Sequence, residues 1–472
     1  MPPPVDGART ASEPRAPGLL SAPYRSRTLA IAATFFLVAF AGLALATAMP
    51  VAVQELDALP LYAIAFGGYL AAGLAGTVVG GGWADRRGPA APLNAGCLCF
   101  VGGSALAGMA PSIMPFLAGR LAQGAGGGAV TVALYVMVGR GYPPALRPRM
   151  FSVVTACWIL PSMVGPAIAG AVTEHLSWRW VFHGIAVFTL VTTALLRRPL
   201  AALPHDGAAA EEPATRVGPA VTVAVGAGLL QYAAAQPSPR TAVLAAAGLL
   251  AVAAGLRGLL PAGTLRARPG IPALVLVRGL AAAAYFATES YVPLLLVNER
   301  GWSPTAAGYS LTCAALAWAA ASWLQGRPHL SPRRRHVILL GALVHSAGTA
   351  LTLAGVLRAA PAVTAPAGFT VAAFGMGLLL PSVGVLTLDQ SPPGRQGANT
   401  AALQVADSLC SVLLIGVCGA LFGALHTAAG SDTAAFAAVC AAALATTLLA
   451  ALAARRIGAP APAAAAPKDQ LA

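Results

Sequence analysis

Long apolar runs, each about a membrane thickness of helix, recur along the whole chain and are separated by short polar segments. A bilayer core of about 30 Å is crossed by about 20 apolar residues in helical form. The pattern predicts spans at 28–49, 61–83, 92–110, 114–138, 150–173, 178–196, 217–236, 241–260, 273–297, 304–325, 336–357, 364–388, 400–426 and 433–454. Gly and Pro are frequent inside these runs, as membrane helices tolerate. Spans 7 and 8 decide between fourteen and twelve. Both lack Asp and Glu, and Arg257 is their only basic residue, so fourteen is expected.

The polar remainder predicts the organisation. Residues 1–27 form an N-tail rich in Pro and Arg, and 198–216 a linker with His205, Asp206, Glu211 and Glu212. Segment 28–197 is then one six-helix bundle, 217–260 an inserted pair, 261–272 a short loop and 273–454 a second six-helix bundle. The Ala/Pro-rich tail 455–472 is expected to be disordered. The N-tail lacks the layout of a signal peptide, and the first span is long enough to remain as an anchor.

Composition sharpens this picture. Only 9% of residues are Asp, Glu, Lys or Arg, against roughly 25% in soluble domains. A water-soluble fold and intrinsic disorder are both excluded. The net charge of +14 raises nucleic acid as a partner, but the basic residues are spread over many loops. With the N-terminus placed in the cytoplasm, 23 of the 29 fall inside. Arg179, Arg240, Arg300 and Arg358 fall outside, and Arg120 and Arg278 lie within spans. This asymmetry is the positive-inside signal. It predicts an even number of spans, both termini cytoplasmic, and no nucleic-acid partner. All seven cysteines fall in spans, so neither a disulfide nor a metal site is expected.

An internal repeat accompanies the spans. Gly68-Tyr69 and Trp83 recur as Gly308-Tyr309 and Trp323, with the same spacing and on corresponding spans. Parallel repeats of this kind are one transporter plan.

Four motifs carry a family resemblance. After span 2 the chain reads Gly81-Gly-Trp-Ala-Asp85-Arg86-Arg87-Gly88, and span 4 holds Arg120-Leu-Ala-Gln123-Gly124. Span 5 contains Pro161-Ser-Met-Val-Gly165-Pro166-Ala-Ile-Ala-Gly170, and span 6 opens with Trp178-Arg179-Trp180-Val-Phe182. In this order and on these spans, the set resembles the major facilitator superfamily, and fourteen spans resemble its drug:proton antiporter branch. The resemblance implies an all-α polytopic membrane protein of two six-helix bundles plus two central helices. It implies that Asp85, Arg86 and Gly88 belong to an inner gate, that Arg120 couples to proton movement, and that the Gly165, Pro166 and Gly170 face gates exchange. Two departures stand out. Pro89 and Ala90 replace the usual basic residues of the loop, and Ala41 occupies the acidic position that the branch carries on span 1.

Physical reading of the same residues adds to this. A mid-membrane arginine costs about 2.5–3.5 kcal/mol, so Arg120 must face protein or water. Gln123 and the small residues after it suit close helix approach. Of the acidic residues, Glu289 in span 9 and Asp407 in span 13 lie well inside. Ionisable groups in spans are candidate functional sites, so Arg120, Glu289 and Asp407 are the proton-coupling candidates. Tyr285, Phe286 and Tyr291 surround Glu289 in sequence and suit a cationic or aromatic ligand. With Gln123 and Glu289 they form the candidate substrate set. Arg278 is about 16 Å from Glu289 along the helix, too far to pair, and marks the inner end of its span.

The chain has no phosphate-binding loop of the ATPase type, and no enzyme motif. The expectation is a monomeric, non-enzymatic plasma-membrane exporter without cofactor, driven by the proton gradient. Its substrate is expected to be a lipophilic drug, with cations among the candidates, or a self-made antibiotic. The alternatives are a permease of the same fold for one metabolite and a non-transporting sensor.

Overall fold

The computed structural model describes residues 18–22, 24–43, 45–143, 146–201, 214–235, 239–327, 333–392, 395–427 and 430–458. Most of the N-tail, most of the linker and most of the C-tail lie outside these residues. So does the side chain of Asp85.

The described residues form fifteen α-helices and two short 3-10 turns. In the first half the helices are α1 (Arg25–Leu43), α2 (Leu45–Glu55), α3 (Tyr62–Arg87), α4 (Ala90–Gly108), α5 (Ile113–Gly141), α6 (Arg147–His175) and α7 (Trp178–Ala201). The inserted pair is α8 (Ala214–Ala235) and α9 (Pro239–Leu259). The second half holds α10 (Ile271–Asn298), α11 (Pro304–Gln325), α12 (Arg334–Ala354), α13 (Thr364–Gln390), α14 (Gln396–Leu425) and α15 (Thr433–Ala454). Local chemistry sets several ends. Gly88 closes α3 at φ +76, and Gly301 turns the chain after α10 at φ +65. Ser303 then caps α11, its Oγ accepting from Ala306 N at 3.3 Å, with Pro304 at the first helical position.

A helix stands at each of the fourteen expected spans, and among the described residues eleven are long and apolar enough to cross a bilayer. The other three expected spans correspond to α8, α9 and α11. In the inserted pair the apolar stretches among the residues with described side chains are Val221–Ala233 and Thr241–Leu256, within helices of 22 and 21 residues. Helix α11 has 22 residues, but Ser, Thr, Tyr, Trp and Gln dilute its apolar character.

The two halves pack alike. In the first, α3 and α4 both lie on α5, α4 also meets α7, and α1 lies between α6 and α7. In the second, α11 and α12 lie on α13, α12 meets α15, and α10 lies between α14 and α15. Small residues permit this closeness. A methyl group at Gly128 would lie 2.0 Å from the Gly73 carbonyl oxygen, and one at Gly348 would lie 2.2 Å from Ala372 N. Without a hydrophobic drive between helices in lipid, such backbone approach is the main source of packing energy.

The inserted helices pair with each other, and α8 also lies against α3 and α14, one from each half. Gln231 of α8 is buried there, its Nε2 donating to Val412 O at 2.9 Å.

Candidate functional site

In the first half the site is built around Arg120 on α5, which is 1% exposed. Its Nε donates to Ala65 O of α3 at 3.1 Å, and its Nη1 donates to Gln123 Oε1 one turn along. Gln123 Nε2 in turn donates to Ser104 Oγ on α4 at 2.8 Å, and Ser104 Oγ donates to Phe100 O. The guanidinium lies 4.3 Å from the centre of the Tyr69 ring, a cation–π position. No ion pair among the described residues involves Arg120. Its charge is therefore met by one carbonyl, one amide and one ring. Gln123 is spent on this network and is buried, which gives it a positioning part, away from open space.

In the second half the charges are arranged differently. Arg278 of α10 faces Asp407 of α14. Its Nε donates to Oδ1 at 3.0 Å and Oδ2 at 2.8 Å, and its Nη2 lies 2.7 Å from Oδ2. The same Nη2 donates to Gln404 Oε1 at 2.8 Å. Arg278 is thus the partner of Asp407, beyond the span-end marker expected of it. The pairing was within reach of the sequence: two opposite charges that must both leave water are cheapest together.

Glu289 is half-buried on α10, with the Tyr285 hydroxyl one turn earlier within hydrogen-bonding reach. Tyr285 belongs to an aromatic group that sequence reasoning only half found. Its ring stacks on Phe369 of α13 at 5.1 Å, meets Trp318 of α11 edge-on at 4.8 Å, and touches Phe286 at 5.5 Å. Trp318 and Phe369 come from other helices, so no local motif could reveal them. Phe286 and Trp318 are half-buried while Tyr285 and Phe369 are buried, so the former two are the partly accessible members of this group. Tyr291 is elsewhere. It is 2% exposed and packs between Tyr62 of α3 at 5.3 Å and Phe422 of α14 at 5.5 Å.

The Gly-Pro face of α6 forms a seam with α11. A methyl group at Gly308 would lie 2.4 Å from Pro166 O, and one at Gly170 would lie 2.6 Å from Pro304 O. Thr47 Oγ1 of α2 also donates to Pro166 O, at 3.1 Å. Nearby, Thr305 N donates to Glu174 Oε2 at 3.1 Å, and Gln54 Nε2 to Asn298 Oδ1 at 2.6 Å. Tyr62 Oη donates to Ser290 O. These three hydrogen bonds between the halves lie toward the arginine-poor end of the bundle, where the halves are in close contact.

At the arginine-rich end, α3 finishes in Asp85-Arg86-Arg87, and Arg86 Nε folds back to Gly82 O at 2.9 Å. The counterpart of Asp85 is Gln325, and it is a buried hub. Its Oε1 accepts from Ser382 Oγ at 3.1 Å and from Arg334 Nη1 at 3.4 Å, tying α11 to α12 and α13.

The sequence profile of the Major Facilitator Superfamily matches residues 31–415. A probable multidrug-efflux transporter of Mycobacterium tuberculosis is 27% identical over 349 residues, covering 69% of this chain and 72% of that protein. A transporter of the acurin A biosynthesis cluster of Aspergillus aculeatus is 30% identical, but the match covers 36% of this chain and 32% of that protein. Multidrug resistance protein 3 of Bacillus subtilis is 32% identical over 29% of this chain and 27% of its own length. The chain thus matches about a third or less of several curated relatives. Among solved structures, a peptide transporter in complex with sulfate aligns with TM-score 0.68 at 16% identity, over 91% of this chain and 94% of that one. The inward-open xylose transporter of E. coli aligns with TM-score 0.63 at 13% identity, over 93% and 97%. At such identities the likeness concerns the fold alone.

Proposed function

The chain belongs to the Major Facilitator Superfamily, and on that premise we propose that it is a proton-coupled antiporter exporting lipophilic cations by alternating access. It is a multi-pass membrane transporter, with a bilayer around it and a small molecule as substrate. In this proposal it sits in the plasma membrane as a monomer, crosses fourteen times, and has both termini in the cytoplasm.

One observation carries the reading. Glu289 is a half-buried carboxyl without an arginine partner among the described ion pairs, and Tyr285, within its hydrogen-bonding reach, joins it to the aromatic group of Phe286, Trp318 and Phe369. A carboxylate flanked by aromatic faces attracts a lipophilic cation through charge and ring quadrupole together. The same carboxyl can hold a proton instead. Proton and substrate then exclude each other, which is the minimal logic of exchange. In the proposed cycle, Arg120 on its hydrogen-bonded perch senses the charge state of Glu289, and the seam of Pro166 against Gly308 closes the outer end. Asp85 and Arg86 close the inner end in turn. The efflux names of the relatives agree with the direction. The sensor alternative receives nothing from the family, whose members are transporters.

Everted membrane vesicles test the proposal, with a fluorescent lipophilic cation as probe. Accumulation should require an acid interior, stop on addition of a protonophore, and be lost in Glu289→Gln. Accumulation that ignores the gradient would overturn the antiport mode.

A further inference from the structure

The junction between the inserted pair and the second half holds a groove of about 610 Å³. One wall is the apolar end of α9, with Ala253 and Leu256, continued by Leu260 just beyond it. The rim is the turn 261–268, which presents Arg266 and Arg268. Backbone geometry fixes that turn. Gly263 and Ala267 both take positive φ, at +88 and +47, around the 3-10 turn Thr264–Arg266. The turn is also tethered from below, since Arg456 Nη1 donates to Arg266 O at 3.1 Å. Arg266, Arg268, Arg455 and Arg456 are all exposed here. No ion pair among the described residues involves any of them.

We infer that this groove is a binding site for an anionic glycerophospholipid of the leaflet at the arginine-rich end. Arg266 and Arg268 would take the phosphodiester, and an acyl chain would lie along Leu256 and Leu260. The combination selects lipid over a soluble phosphate. An anion alone needs the two guanidiniums but leaves the leucine wall wet, and Leu265, 74% exposed beside the arginines, suits the acyl boundary and not water. Basic pockets between membrane helices on this side recognise anionic headgroups by the same chemistry. The site is independent of the transport reading, because it lies outside the α10 and α5 clusters.

Native mass spectrometry tests it, on protein purified into mixed phosphatidylglycerol and phosphatidylcholine nanodiscs and released stepwise from lipid. The wild type should retain phosphatidylglycerol about tenfold over phosphatidylcholine. Arg266→Gln with Arg268→Gln should abolish that preference. Leu256→Trp should lower retention by filling the groove while leaving every charge in place. Arg140→Gln with Arg333→Gln, on the same end but away from the groove, should retain it. Equal loss in the Arg140 and Arg333 control would show a general basic surface and overturn the site. So would unchanged retention in the Arg266 and Arg268 variant, or displacement of lipid by glycerol phosphate alone.

Discussion

Arg278 and Asp407 face each other across α10 and α14, the arginine Nε shared between both carboxylate oxygens at 3.0 and 2.8 Å. The two side chains are 15% and 17% exposed. Removing one partner leaves the other charge in a place that no longer suits it, which costs more than removing both. Asp407→Asn and Arg278→Gln should each destabilise the protein, and the double variant should recover part of the loss. A thermal-unfolding double-mutant cycle in detergent should give a coupling of about 0.5–3 kcal/mol. Additive losses would show that the contact is idle.

Arg120 makes a different prediction, because its fork reaches Ala65 O, Gln123 and the Tyr69 face at once. A lysine has the charge but not the planar fork. Arg120→Lys should therefore fail to restore transport in the vesicle assay, with activity near that of Arg120→Ala. Full activity in the lysine variant would reduce the role of Arg120 to charge alone.

The seam at Gly308 is steric. Any side chain there meets Pro166 O, and the helices must part to admit it. Gly308→Leu should lower transport at least about tenfold, the loss that about 1.4 kcal/mol of closure energy would bring. Labelling of an introduced cysteine at Asn298 should rise in parallel, because the arginine-poor end stays open. Unchanged labelling would show that closure does not depend on this contact.

Acid sensitivity is expected where the second half is stapled beyond its spans. Burial pushes the Glu299 carboxyl up. Hydrogen bonds from Ser431 Oγ, Asp432 N and Arg358 outweigh that and hold it below the usual glutamate range. A lowered carboxyl adds stability above its ordinary pKa of about 4.3, and that stability disappears as pH falls through the lower folded value. The melting temperature of the wild type should therefore drop on acidification below about pH 4. That of Glu299→Gln should start lower near neutral pH and fall less. Parallel curves would show that Glu299 contributes nothing.

The sequence carried much of the helical architecture because backbone polar groups in lipid must be satisfied within helices, which leave long apolar runs; the first run is met by two helices, α1 and α2, and the polar residues of α11 blur its signal. Buried charges were equally legible, since each of Arg120, Glu289 and Asp407 is conspicuous in a chain so poor in charge. Tertiary partnership was not. Trp318 and Phe369 join Tyr285 from α11 and α13, and nothing local marks them. Tyr291 looked like part of the same group because it is six residues from Tyr285. Six residues is 600° of helical rotation, or 240°, and that sends the ring to a different face. Gln325 is a further case: it stands where the repeat places Asp85 in the first half, and its bonds to Ser382 and Arg334 on α13 and α12 leave no local mark in the sequence.

The central claim is that one carboxyl, Glu289, holds either a proton or the substrate. Proton release on ligand binding tests it most directly. Purified protein in weakly buffered detergent solution is titrated with the lipophilic cation at a pH where the carboxyl is protonated. About one proton should be released per cation bound to the wild type, and none in Glu289→Gln, as linkage requires. Cation binding without proton release in the wild type, or undiminished release in Glu289→Gln, would contradict the account.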